Sequence, residues 1–117
     1  MIKPIISTVF AIAIPLATAV PIGAQEFLPV SQAARTLADS RAWSAVTPDG
    51  RKAKMIFNAD GTGSFEGPIT MTTRWAVRGQ EICIDLSVAG SRCLRFRRTP
   101  DGLQAYLGQQ PDLRLSR

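Results

Sequence analysis

From Ala42 to Arg98 apolar and polar positions alternate, and turn residues break the alternation at short intervals. In ITMTTRWAVRG, Ile69, Met71, Thr73, Trp75 and Val77 fall on one face. Thr70, Thr72, Arg74, Ala76 and Arg78 fall on the other. A strand with one apolar face is a half-buried member of an antiparallel sheet. Pro48-Asp49-Gly50, Asn58-Ala59-Asp60-Gly61 and Pro100-Asp101-Gly102 separate further short runs. These residue types either fix φ or tolerate positive φ. Six or seven strands at this spacing predict a mainly β fold, a small antiparallel meander curled into a barrel or half-barrel. Helical spacing appears once, over residues 31–39, where Ser31 as N-cap precedes Ala33, Ala34, Leu37 and Ala38. The pattern therefore predicts an N-terminal segment with one short helix over 25–41, a β domain over 42–109, and a polar C-terminal tail over 110–117.

Register follows from turn chemistry. Gly79-Gln80 fits a two-residue hairpin loop with glycine first, as a type II′ turn prefers. That loop pairs Arg78 with Glu81, Val77 with Ile82, Ala76 with Cys83, Trp75 with Ile84 and Arg74 with Asp85. In the next hairpin, setting Cys83 opposite Cys93 puts Glu81 opposite Arg95 and Asp85 opposite Ser91. The loop is then Ser87-Val88-Ala89 with a bulge at Gly90. Both registers place Ile82, Ile84, Leu94 and Phe96 on the same apolar face. A one-residue slip in either would destroy that agreement. Cys83 and Cys93 meet on the outer face and form a disulfide there, a staple on the order of 2–3 kcal/mol.

The first two dozen residues break with the rest. Lys3 precedes an uncharged apolar run, Pro4 to Ile22, which ends in Gly23-Ala24 ahead of Gln25-Glu26. A cationic start, an apolar centre and a small residue before a polar switch read as a signal peptide over 1–24. The alternative is a retained membrane anchor, against which Pro15 and Pro21 count. A leader places the protein in the periplasm or outside the cell, where a disulfide persists.

Charge and residue inventory then narrow the chemistry. The chain carries 14 Lys and Arg against 9 Asp and Glu, a formal +5, with no histidine and two cysteines. The excess is spread out rather than clustered, so no nucleic-acid partner is expected. Structural zinc wants four ligands, and Cys83 and Cys93 have neither histidine nor a third cysteine beside them. No metal, no cofactor and no catalytic residue is expected, and the chain reads as a non-enzyme. Arg92 and Arg98 share the parity of Leu94 and Phe96, so they point inward at the two ends of their strand. An inward arginine at a barrel mouth is suited to a ligand carboxylate or phosphate. Arg97 completes the set of arginines without an assigned acidic partner.

The runs F-x-x-D-G-T-G (Phe57 to Gly63) and W-x-x-x-G-x-x-x-C (Trp75 to Cys83), with the second cysteine in the following hairpin, resemble small exported bacterial β-proteins of uncharacterised function. The resemblance spans roughly residues 42–104 and implies a calycin-like curled meander. A second likeness is to periplasmic inhibitors of secreted metalloproteases, which share the size, the exported barrel and the single disulfide. It implies that Glu26-Phe27-Leu28-Pro29 reaches into a protease, with Phe27 and Leu28 as contact residues. Here the cysteines close a single local hairpin instead. Three functions are therefore carried forward. They are a binding module for a protein or small molecule of the cell envelope, a protease inhibitor, and an envelope structural protein that contacts the membrane only through an uncleaved leader.

Overall fold

A computed structural model describes residues 26–117, so the expected leader at 1–24 lies outside the described residues. Among the described residues one α-helix, α1 (Val30–Leu37), precedes eight strands. These are β1 (Trp43–Val46), β2 (Lys52–Phe57), β3 (Thr62–Glu66), β4 (Thr70–Arg78), β5 (Glu81–Asp85), β6 (Ser91–Thr99), β7 (Gly102–Leu107) and β8 (Gln110–Ser116). Each strand pairs antiparallel with its sequence neighbour, and β1 pairs with β8, so the meander closes into a barrel.

The two hairpins read from turn chemistry have the expected register. β4 and β5 pair Arg78 with Glu81, Val77 with Ile82 and Ala76 with Cys83. β5 and β6 pair Ile82 with Leu94, Cys83 with Cys93 and Asp85 with Ser91. Gly79 has φ +60° while Gln80 stays at negative φ, which is the type II′ arrangement. The β5–β6 loop is a 3-10 turn, Ser87–Ala89, followed by Gly90 at φ +84°. Cys83 and Cys93 are disulfide-bonded. The register brings opposite charges face to face across the strands. Among the described residues, no ion pair forms between Arg78 and Glu81, Arg74 and Asp85, or Glu81 and Arg95. Exposed side chains on a sheet surface gain little from such contacts and keep their rotamer freedom instead.

Two further expectations are corrected. Residues 110–117 are not a polar tail, because Gln110–Ser116 form the strand that closes the barrel. The turn before it, Gly108-Gln109, has Gly108 at φ +63° and repeats the Gly79-Gln80 device. Ser31 does not cap the helix. Helix α1 begins after Pro29, whose carbonyl accepts from the N–H groups of Gln32 and Ala33 at 3.0 Å each. Proline's fixed φ suits the entry to a helix, and here it does so without a side-chain cap.

Helix α1 and the turns after β2, β4 and β6 lie at one end of the barrel, the floor. The other four turns form the mouth. Ala33 and Leu37 of α1 are buried in the core with Trp43, Phe57, Phe96, Leu103 and Leu115. The Trp43 indole N–H donates to the Leu37 carbonyl at 3.2 Å, fixing the helix under the barrel. An eight-stranded barrel is just wide enough for side chains to fill, and the lower part of this one is filled.

Arg117 clasps the seam between β1 and β8. Its guanidinium forks onto Asp39 at 2.7 and 2.5 Å, donates to the Arg41 carbonyl at 3.0 Å, and lies 3.6 Å from the Trp43 ring centre. The hydrogen bonds from Arg117, helped by Arg41, hold the Asp39 carboxyl well below its ordinary value of 3.8, although burial pushes the other way. A depressed carboxyl stabilises the fold above its ordinary value and loses that contribution as pH falls through the folded value. Arg117→Ala should therefore lower the melting temperature by about 4–8 °C at neutral pH, for a partly exposed bidentate pair worth ~1 kcal/mol. The gap to the unaltered protein should narrow in strong acid, leaving the part due to the carbonyl and Trp43 contacts. A gap that stays constant across pH would show that Asp39 plays no part.

Candidate functional site at the barrel mouth

Along β2 the inward positions grow smaller toward the mouth, Phe57, Met55, Ala53, and along β6 they turn polar there, Phe96, Leu94, Arg92. The space left is a cavity of about 540 Å³, open at the mouth and lined by Ala53, Phe65, Met71, Leu86, Arg92 and Leu113 among others. Two exposed apolar residues flank its opening. Ile69, in the β3–β4 turn, is 61% exposed, and Val88, in the β5–β6 turn, is 80% exposed. Isolated exposed apolar residues need no explanation, but two on the lips of one apolar cavity form a continuous surface with it.

Arg92 points inward as its parity predicts, but it is not free. Its Nη1 donates to Asp112 Oδ1 at 2.6 Å. The Asp112 side chain is only 5% exposed, while that of Arg92 is 40% exposed. A local irregularity places the acid there. Gln104 pairs with Arg114 and Tyr106 with Pro111, so Ala105 alone opposes both Asp112 and Leu113. Two residues opposite one make a β-bulge, which disrupts the ladder and re-aims a side chain. Both Asp112 and Leu113 become buried as a result. The Gln104 side-chain amide lies over the disrupted stretch and donates to the carbonyls of Ala105, Asp112 and Leu113 at 3.0, 3.3 and 3.2 Å. Asp112 Oδ2 is buried without a hydrogen-bond partner among the described residues.

The remaining expected contact residues separate into two places. Phe27, Leu28 and Arg97 come together on the barrel wall, away from the mouth. Leu28 donates its N–H to the Phe96 carbonyl at 2.8 Å and packs against the core. The Phe27 ring lies under two guanidinium groups, Arg95 at 4.0 Å and Arg97 at 4.5 Å, and meets the Tyr106 ring edge-on at 5.5 Å. Arg95, which the β5–β6 register sets opposite Glu81, stacks on Phe27 and makes no ion pair with that acid among the described residues. Cation–π stacking in this half-buried setting contributes about 0.5–1 kcal/mol per pair and holds the N-terminal segment down. Arg98 is exposed at the floor end, beside Leu103 in the ladder, and makes no ion pair among the described residues.

The residue missed from sequence is Asp112. The signal available was Gly108-Gln109 ahead of the alternating Leu113 and Leu115. Among the described residues no group of three His, Cys, Asp or Glu gathers to hold a metal ion. Comparisons with protein-family models, with curated proteins and with solved structures find no match. The site's meaning therefore rests on its own chemistry. It has an apolar wall, one neutralised ion pair and an open rim.

Proposed function

We propose that the protein is a non-enzymatic binding module of the periplasm or extracellular space. In this reading it takes the apolar part of a small amphipathic molecule into the mouth of its barrel. The observation that carries the reading is the cavity of about 540 Å³. Small-molecule sites run roughly 300–1,000 Å³, with apolar walls and few polar groups. The small inward Ala53 and the surrounding turns leave this space unfilled by side chains. Export is supported by the leader-like start and by the Cys83–Cys93 disulfide, since such bonds persist in oxidising compartments. The absence of histidine from the sequence supports a role other than acid–base catalysis. The inhibitor alternative requires Phe27 and Leu28 to leave the barrel and enter a protease. The stacking of Phe27 under Arg95 and Arg97 and the hydrogen bond from Leu28 to Phe96 favour the binding-module reading instead.

The test uses protein recovered after export and phenylnaphthylamine, an uncharged apolar fluorophore. Its emission should rise saturably, with one molecule bound per barrel. Ala53→Phe adds a ring at the cavity wall, and should weaken binding roughly tenfold or more while the melting temperature holds. Equal binding by Ala53→Phe would place the probe elsewhere and remove the mouth as the site. Absence of any saturable signal would do the same.

A further inference from the structure

We propose that the mouth selects an uncharged hydrogen-bonding head group, such as an alcohol or a carboxamide, over a carboxylate or phosphate. The inference rests on the mouth being the binding site and concerns what its polar corner recognises. A lone inward arginine would recruit an anion, because a guanidinium presents several donors and one uncompensated charge. Arg92 keeps the donors but not the charge. Its Nη1 bonds Asp112 at 2.6 Å, and the partner carboxylate, 5% exposed, is shielded from the screening that water gives. An anion placed on the remaining Arg92 donors would sit beside the Asp112 charge. Repulsion from Asp112 would cancel most of the attraction to Arg92, and the anion would still lose its own hydration. A hydroxyl or amide carbonyl accepts from the same donors without that repulsion and gives up less on leaving water. Oδ2 of Asp112, buried and unpartnered, leaves one carboxylate oxygen with no hydrogen bond to offset its negative charge.

The rest of the rim adds little. Arg51 donates to Asp49 at 2.8 Å, and both side chains are exposed, so water screens this pair. Lys52 is exposed, and a solvated surface charge attracts an anion only weakly. The neutralising acid is no accident of sequence spacing. Plain alternation would turn Asp112 outward when Leu113 and Leu115 point inward. Only the bulge opposite Ala105 brings it in.

The experiment displaces bound phenylnaphthylamine with dodecanol, dodecanamide, dodecanoate and dodecyl phosphate, each below its micellar concentration at neutral pH. Dodecanol and dodecyl phosphate share one tail, and dodecanamide and dodecanoate share another, so the ranking within each pair reports the head group. Each neutral compound should compete about tenfold or more better than the anion with the same tail. In Asp112→Asn, which keeps the shape but leaves the Arg92 charge uncompensated, both anions should gain about tenfold relative to the alcohol. Anions that displace the probe as well as the neutral compounds do, in the unaltered protein, overturn the head-group proposal and leave the cavity standing. An unchanged ranking in Asp112→Asn overturns it as well. The ranking in the unaltered protein decides the matter even if Asp112→Asn does not fold. Failure of all four compounds together with the probe removes the cavity reading and this proposal with it.

Discussion

Arg92→Met should cost the barrel far more stability than Asp112→Asn, although the two residues share a single ion pair. The asymmetry follows from exposure. Removing Arg92 strands a carboxylate that is 5% exposed, with one oxygen already lacking a partner. Breaking a buried pair in this way costs about 3–5 kcal/mol when the site is fully dry. The cavity beside Asp112 is open and Arg92 itself is partly exposed, so about 2–4 kcal/mol is the reasonable range after screening. Removing the acid instead leaves a guanidinium with 40% of its side chain already exposed. It can turn toward water or donate to the new amide oxygen, for a cost of about 1 kcal/mol or less. Replacing both with apolar residues, Arg92→Met with Asp112→Leu, should recover most of the loss, because neither charge is then left alone. Urea unfolding of the four proteins checks this order of stabilities. Equal losses from the two single changes would mean that Asp112 is well solvated and that the mouth is not the dry, neutralised corner described above.

The same pair shows where sequence reasoning reached its limit. The inward direction of Arg92 was legible because parity propagates along a regular strand from Leu94 and Phe96. The acid that meets it was not, for two physical reasons. The contact joins β6 to β8 across β7, and nothing local marks a partner 20 residues away. A bulge also shifts the parity of its strand by one, so a period-two reading assigns Asp112 to the outer face. Pro111 and the neighbouring glutamines hid the strand itself, since proline and polar runs read as chain end or turn. Yet Gly108-Gln109 is the dipeptide that correctly marked the β4–β5 hairpin at Gly79-Gln80, and Leu113 and Leu115 alternate after it. Applied a second time, the same rule would have found β8 and closed the barrel. Turn chemistry and strand period were legible throughout because both are local. The docking of Phe27 under Arg95 and Arg97 was not, because it joins the start of the described chain to a strand far along it.

Reducing the Cys83–Cys93 bond, or replacing Cys83 with serine, should lower the melting temperature by roughly 10–20 °C while leaving the folded barrel and its mouth intact. The bond closes a loop of 10 residues in sequence separation, between directly opposed positions of β5 and β6. Cross-linking a loop of that length removes on the order of 2–3 kcal/mol of chain entropy from the unfolded state. A domain of this size has a total margin of about 5–13 kcal/mol, and each kcal/mol moves its melting point by about 4–8 °C. The native register does not depend on the bond. Ile82, Ile84, Leu94 and Phe96 are fully buried on the inner face of the same two strands, and a slip would expose all four. The reduced protein should therefore bind phenylnaphthylamine with unchanged affinity at low temperature and lose it cooperatively on heating, earlier than the oxidised form. Because the bond acts on the unfolded chain, its benefit exists only where thiols stay oxidised. A melting curve indifferent to reductant would show that the barrel holds without the staple. The disulfide would then stop counting as support for folding outside the cytoplasm, leaving only the leader-like start of the chain to carry that reading.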